Sequence, residues 1–449
     1  MSQQSGSGRD RGRRFEAYVA EIVGALGHAD RAGPFRAYCM GLMGPSERKS
    51  VEPMAAVVDP CRVSGRHQSM HHFVSSSPWS DTAVLAVAHR RVVGALRRRG
   101  GISAWIVDDT GVPKKGTKSV GVSRQYCGAT GKEDNCQVAV SLSVANAAGS
   151  VPVAHRLYLP ESWTKDRKRC RRAGVPDDSR FQRKWEIALD HIDAAIAGGI
   201  AQAPVVVDAG YGNVVDFREG LTQRKLPYVA GIESTTTVWP PGAGPLPAPA
   251  YPGMGRPAKR LRRSPTHRPI SVLALARDLP GSRYRTVGWR EGSRGIMRSR
   301  FAAVRVRPAH LDDDRVEPRP EEWLLIEWPE GEEKPTKYWL STVRPRMPLR
   351  RLVNLAKIRW RIERDYQELK DELGLDHYEG RNWRGFHHHA TLCIAAYAFL
   401  MSERLRISPR YSRRTRPLLR LPPVSPHFRP RGSPTRPAPQ PDVDRDPPR

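Results

Sequence analysis

Residues 104–116 read AWIVDDTGVPKKG: an apolar run, two aspartates, then a turn of Gly, Pro and Lys. A short apolar run bounded by turn residues predicts a strand. The same grammar recurs at residues 203–213, APVVVDAGYGN, where three valines run into Asp208 and a glycine-rich turn. Around these lie QVAVSLSVAN (137–146), VPVAHRLYL (151–159), a helical stretch from about Phe181 to Ala197, and LPYVAGI (226–232). Strands followed by a helix and another apolar strand predict an α/β sheet. Ligands of open α/β sheets gather at strand ends, where side chains leave the core.

Upstream, Arg14 to about Arg99 reads as a separate helical module, with Phe15, Tyr18, Val19, Ile22, Val23 and Leu26 at helical spacing. A second helix there starts at Ser80 or Asp81, either of which can cap it. Downstream, residues 239–269 are too rich in Pro and Gly for an element interior and predict a linker or an exposed basic loop. EEWLLIEWP and KYWLSTV, joined by a polar turn, predict a β-hairpin. A long amphipathic helix is expected from about Leu349 to Leu373, and an apolar one from about Ala390 to Leu405. Residues 402–449 hold 12 Pro and 12 Arg, which predicts a disordered tail past about residue 410. The expected division is 1–100 helical and a DNA-binding candidate, 101–235 an α/β part, 236–347 a β-rich segment with the basic Pro-rich loop, 348–405 a second part carrying the Glu363 helix, and 406–449 tail.

The chain has 449 residues, enough for about two to four domains and a sizeable core, which excludes a peptide hormone or a small disulfide scaffold. Lys plus Arg number 75 against 46 Asp plus Glu, a formal charge of +29 spread over most of the length. Such a field attracts polyanions, with nucleic acid the leading partner and an anionic membrane surface the rival. The longest nearly unbroken apolar run, Ala390 to Met401, is about half the ~20 residues a bilayer span needs. No membrane span is expected, and the basic N-terminus lacks the apolar stretch of a secretory signal. The expected location is the cytoplasm. Six scattered cysteines without a Cys-x-x-Cys pair predict reduced, mostly buried thiols. No phosphate-cradling Gly-x-x-x-x-Gly-Lys-Ser/Thr loop occurs, so ATP use is not expected.

Three acidic positions carry the chemical argument. Taken alone, Asp108-Asp109 and Asp208 are as well explained as capping residues at strand ends. Glu363, in KIRWRIERDYQELKDELG, lies within about 40° of Arg359 and Lys370 on one helical face, a pattern that ordinary solvated i, i+4 pairs also produce. Together, on a chain of this charge, two strand-end aspartates and a helix glutamate make a carboxylate trio suited to two Mg²⁺ or Mn²⁺ ions beside a phosphodiester.

DDTGVPKKG, the following SVGVSRQYCGATGKEDNCQVAVSLSVAN, VVVDAGYGN and the RWRIE...K helix resemble the DDE transposases of bacterial insertion sequences, specifically the insertion-sequence seven-hundred-and-one group, which is related to the insertion-sequence-four group. The likeness covers roughly residues 50 to 400. It implies an RNase H-like catalytic domain, interrupted between the second Asp and the Glu by a mainly β insertion. It puts the metal-binding acids on Asp109, Asp208 and Glu363, with Asp109 preferred to Asp108 because the related group's acid directly precedes Thr. That group's Tyr-x-x-Arg-x-x-x-Glu-x-x-x-x-x-x-Lys signature is met by Arg359, Glu363 and Lys370, while Ala356 stands at the Tyr position.

DNA contacts are expected from Arg359 and Lys370 near the metals, from Lys114 and Lys115 past the first acid, and from KDRKRCRR (165–172) and KRLRR (259–263). The related group stacks an aromatic on a displaced base, a role open here to Tyr338 or Trp339, with core packing the competing reading. His67, His71, His72 and His387 to His389 lack the ligands of a closed zinc site and are expected at the surface or on DNA. The expected function is a transposase that binds terminal inverted repeats of its element, hydrolyses a phosphodiester at the transposon end and transfers the strand to target DNA. Its partners are double-stranded DNA and a second copy of itself. The alternatives are a non-catalytic, transposase-derived DNA-binding protein and, less suited to the basic charge, a two-carboxylate glycoside hydrolase.

Overall fold

A computed structural model describes residues 2–250, 253–254, 259–292, 295–310 and 315–407. The expected disordered tail falls almost wholly on residues 408–449, outside the described residues, as does part of the Pro-rich loop.

The chain opens with helices α1 (Ser2–Leu26), α2 (Ala32–Met43), α3 (Val51–Val58), α4 (Val63–Ser75) and α5 (Asp81–Arg98). Strands β1 (Ala104–Pro113), β2 (Ser123–Cys127), β3 (Lys132–Ala145) and β4 (Ser150–Leu157) follow, then short helices α6 (Glu161–Thr164) and α7 (Arg167–Arg172) and the longer α8 (Lys184–Ala197). Next come β5 (Val205–Val207), α9 (Ala209–Gly212), α10 (Val215–Gln223), β6 (Tyr228–Ile232), β7 (Thr237–Trp239), β8 (Ile270–Ser271) and α11 (Val272–Asp278). The last strands are β9 (Arg285–Gly292), β10 (Gly295–Pro308), β11 (Glu322–Trp328) and β12 (Lys337–Ser341), before α12 (Leu349–Lys357), α13 (Trp360–Asp371) and α14 (Trp383–Ile407).

Among the described residues the strands form one mixed sheet in the order β2-β3-β1-β5-β6-β12-β11-β10-β7-β8, with β4 also on β3 and β9 on β10. β1 runs antiparallel to β3 and parallel to β5, which is parallel to β6. Every residue of β5 and β6 is buried, because helices cover the sheet where its strands are parallel. The expected hairpin is β11 and β12, but β12 also pairs with β6, so residues 236–347 lengthen the central sheet.

The N-terminal helices follow the apolar spacing: Phe15, Tyr18, Val19, Ile22 and Leu26 are buried, and Ser80 caps α5 by accepting from the Ala83 amide at 3.2 Å. They also pack on the C-terminal helix. Phe15 and Tyr18 pack on Phe399 of α14, the Tyr18 hydroxyl donates to the Ala395 carbonyl at 2.8 Å, and Arg14 pairs with Glu403. The same apolar cluster runs from α1 into the sheet and α14. Periodicity shows which face of a helix is apolar, not what covers it.

His387, His388 and His389 depart from expectation, for all three are buried at the start of α14. His388 lies flat on the Trp79 ring at 3.6 Å, and His389 bonds the Tyr38 hydroxyl and the Gly374 carbonyl, both at 2.9 Å. Each ring has a partner far along the chain, the Leu157 amide of β4 for His387, the Val74 carbonyl for His388 and the Tyr38 hydroxyl for His389, which a local reading does not reveal. The expected helix over Leu349–Leu373 is two, broken at Ile358–Arg359 by bonds from the Arg361 amide to Ile358 and from the Ile362 amide to Arg359. Side chains flanking the break have distant partners. Lys357 pairs with Glu327 of β11 at 2.5 Å, and Trp360 lies against Arg290 of β9.

Two glycines fix the turn after β5. A Cβ on Gly212 of α9 would overlap the carbonyl of Gly231 in β6, and one on Gly231 would stand 3.0 Å from the backbone of Asp208 and Ala209. Backbone here meets backbone, so nothing can swing aside. Gly212→Ala should therefore lower unfolding free energy by more than about 2 kcal/mol. An unchanged melting temperature would contradict this packing.

Burial also sets an acid limit on the fold. His89 in α5 is held down to about 4 by burial, partly offset by a bond to the Pro152 carbonyl. Unfolded, it takes up a proton below about pH 6.5, whereas folded it refuses one until about pH 4, so stability falls as pH drops through that window. Replacing it with Leu should reduce the stability lost between pH 7 and pH 5 by about 2 kcal/mol. Denaturant melts of parent and variant at the two pH values measure the difference.

Candidate active site: a carboxylate cluster around Arg359

Along a strand, successive side chains point to opposite faces, so the two aspartates of β1 meet different partners. Asp108 faces the helix pair α12–α13. Its Oδ2 lies 3.1 Å from Nη2 of Arg359, the residue at the break between the two helices. The other guanidinium nitrogen lies 3.2 Å from Oδ2 of Asp208, at the end of β5, and Nη2 is 3.9 Å from Oε1 of Glu363, one turn along α13. One guanidinium thus touches three carboxylates from three separated segments. Asp208 is the N-cap of α9, accepting from the Tyr211 amide at 3.3 Å.

Asp109 faces α8. Its Oδ2 accepts from Lys184 Nζ at 2.7 Å, and its Oδ1 accepts from the Tyr211 hydroxyl. Both its oxygens are engaged by protein donors. The structure therefore groups Asp108, rather than Asp109, with Asp208 and Glu363 around Arg359.

Burial pushes Asp108 up to about 7, against the lowering pull of Arg359, with Asp208 adding to the rise. Glu363 and Asp208 are open to solvent on one side, with side-chain exposures of 66% and 42% against 14% for Asp108. The donor set is all carboxylate oxygen, the ligand chemistry of Mg²⁺ or Mn²⁺. Arg359 stands among the three acids as their counter-cation. As placed, the acids spread around the guanidinium, and among the described residues no three His, Cys, Asp or Glu side chains converge on one point.

The remaining predicted residues divide. Lys370, at the far end of α13, donates to the Gly111 carbonyl of β1 at 2.8 Å and braces the strand instead of facing the acids. Lys114 donates to the Tyr378 carbonyl at 2.8 Å, and Lys115 is exposed beside it. Of the two readings of Tyr338 and Trp339, the structure shows the core packing: both are buried, because β12 lies inside the sheet between β6 and β11. The Tyr338 hydroxyl donates to the Pro335 carbonyl at 3.1 Å, and the Trp339 ring lies against the Lys357 ammonium, so neither presents a face for a base. In KDRKRCRR, Arg169 stacks on Trp163 at 3.6 Å, leaving Arg171 and Arg172 exposed. In KRLRR, Arg262 and Arg263 donate to the carbonyls of Pro247 and Ala309.

Sequence reasoning missed Lys184 and Tyr211. Tyr211 stood in the quoted APVVVDAGYGN, three residues past an aspartate, and that spacing is an N-cap signal. Nothing local marks Lys184.

If Arg359 neutralises this cluster, Arg359→Ala leaves Asp108 without its counter-charge. A fully buried pair broken this way costs ~3–5 kcal/mol, so a part-buried one should cost roughly 2–3 kcal/mol. Adding Asp108→Asn should recover most of it. Thermal melts of the two single variants and the double variant test the coupling, and additive losses would refute it.

Residues 21–296 match the DDE superfamily endonuclease family, a span that holds Asp108, Asp109 and Asp208 but ends before Glu363. A protein of Microchaete diplosiphon described as a probable transposase for insertion sequence element IS701 is 29% identical over 201 residues, which are 44% of this chain and 48% of that relative. The chain thus spans about half the length of the curated relative it matches.

Proposed function

The chain belongs to the DDE superfamily endonucleases, and from that membership we propose that it is the transposase of an insertion sequence. It binds the terminal inverted repeats, hydrolyses a phosphodiester at each transposon end and joins the freed 3′ hydroxyl to target DNA. The observation that carries this reading is the single guanidinium shared by Asp108, Asp208 and Glu363. Further support comes from topology. Antiparallel β1, β3 and β4 followed by parallel β5 and β6 is an order that fits an RNase H-like core, with the segment 236–347 inserted between the second aspartate and the glutamate.

In this reading Asp108, Asp208 and Glu363 hold the divalent cations, Mg²⁺ or Mn²⁺ and two in number. When bound, such ions supply activation of the attacking oxygen and stabilisation of the leaving one. The protein's own part is positional. The sheet and α13 present three carboxylates on one side, and Arg359, once released from them, is close enough to meet a non-bridging phosphate oxygen. Asp109 keeps Lys184 and Tyr211 in place and so holds the Asp208 turn. Pairing two transposon ends requires two active sites, which makes a second copy of the chain the natural partner on DNA.

The test compares five variants on a labelled transposon end with Mg²⁺ or Mn²⁺. Asp108→Asn, Asp208→Asn and Glu363→Gln should lose cleavage by several orders of magnitude while still binding the end. Asp109→Asn should keep a measurable share, and Asp371→Asn, exposed on the same helix, should cut normally. If Asp109→Asn is dead and Asp108→Asn active, the first metal ligand is Asp109. A parent that cuts equally well in EDTA overturns the metal-dependent mechanism.

A further inference from the structure

Beyond the carboxylates, the turn after β1 opens into a groove of about 680 Å³. Three chain segments line it: the end of the α2–α3 connection, the β1–β2 turn and the α13–α14 connection. They contribute Arg48, Lys114, Lys115, Lys118 and Arg381, against Glu47, Asp376 and Glu379. Arg48 pairs with Glu379, while among the described residues Lys115, Lys118 and Arg381 have no acidic partner. All three are exposed.

The groove is built rather than incidental. Lys114 bonds Tyr378 across it at 2.8 Å, the Val120 amide donates to the Arg381 carbonyl at 3.0 Å, and the Lys49 amide donates to His377 Nδ1 at 3.0 Å. Each bond joins two of the three segments. Asn135 further pins the turn through the Lys114 and Gly116 carbonyls. Unpaired cations held together in a fixed concavity repel one another, and a polyanion relieves that repulsion. All three segments bring charged side chains to this open trough, a lining that suits a charged backbone.

We infer that this groove is a second DNA-binding site, gripping the phosphodiester backbone of the duplex at a set distance from the cut. The inference rests on the reading of the chain as a DNA-cutting enzyme and adds where the duplex runs. Lys114 lies six residues past Asp108 along and just beyond one strand, about 20 Å at ~3.3 Å per residue. At 3.4 Å per base pair that is about six base pairs from the scissile phosphate. The contact is to phosphates, so it sets register and affinity without reading sequence.

The experiment measures binding of full-length protein to duplexes in EDTA, so that cleavage does not intervene. Lys115→Ala/Lys118→Ala/Arg381→Ala should weaken specific and unrelated duplexes alike and make the slope of log affinity against log salt shallower by about 2–3. Lys115→Arg/Lys118→Arg should bind like the parent, and melting temperatures should not change. Trimming the duplex to within about six base pairs of the cut, on one side, should cost the parent affinity but leave the triple variant indifferent. A triple variant with the parent's slope overturns the groove while leaving the transposase reading intact. A parent that binds no DNA removes both. Loss of binding to phosphatidylserine vesicles with DNA affinity retained would assign the groove to a membrane surface and overturn the inference.

Discussion

Like charges set the terms for this structure. Two carboxylates 4 Å apart repel by about 4 kcal/mol at an effective dielectric near 20, so acids drawn from β1, β5 and α13 need a cation among them. Arg359 is that cation, in contact with all three. It sits at the break between α12 and α13, where its neighbours Lys357 and Trp360 meet Glu327 of β11 and Arg290 of β9. Residues 236–347 therefore reach the site twice, once through β12 on β6 and once through the helix junction.

Much of the sheet was legible because its signal is local. Apolar runs bounded by turn residues mark β1, β3, β4, β5 and β6, and the β11–β12 hairpin shows in its own composition. Ser80 as a cap and the buried face of α1 are local too. What failed was set by distant partners. The His387–His389 run reads as polar, yet each ring finds bonding groups in elements hundreds of residues away. Tyr338 and Trp339 lie on a strand whose neighbours decide their exposure, and a hairpin pattern does not say that β6 closes its open edge.

The same limit applied to the acids. Strand alternation guarantees that Asp108 and Asp109 face opposite ways but not which of them faces the helix. A preference for the residue before Thr110 points to Asp109, while the geometry groups Asp108 with Asp208 and Glu363. Only the placement of α8 and α13 on opposite sides of β1 separates the pair, and helix placement is a tertiary fact.

Two adjacent carboxylates then have unlike tasks. Asp108 is nearly enclosed and raised by that burial, so its charge is worth most where a cation stands against it. Asp109 spends both oxygens on Lys184 and the Tyr211 hydroxyl. Tyr211 also gives its amide to Asp208, so one residue connects the outward acid of β1 to the cap at the end of β5. The turn carrying Asp208 is clamped from below by Gly212 on Gly231 and from the side by Tyr211 on Asp109. Asp109 thus supports the Asp208 turn through Tyr211, while Asp108 meets the Arg359 guanidinium, so each of the two adjacent carboxylates on β1 has its own structural use.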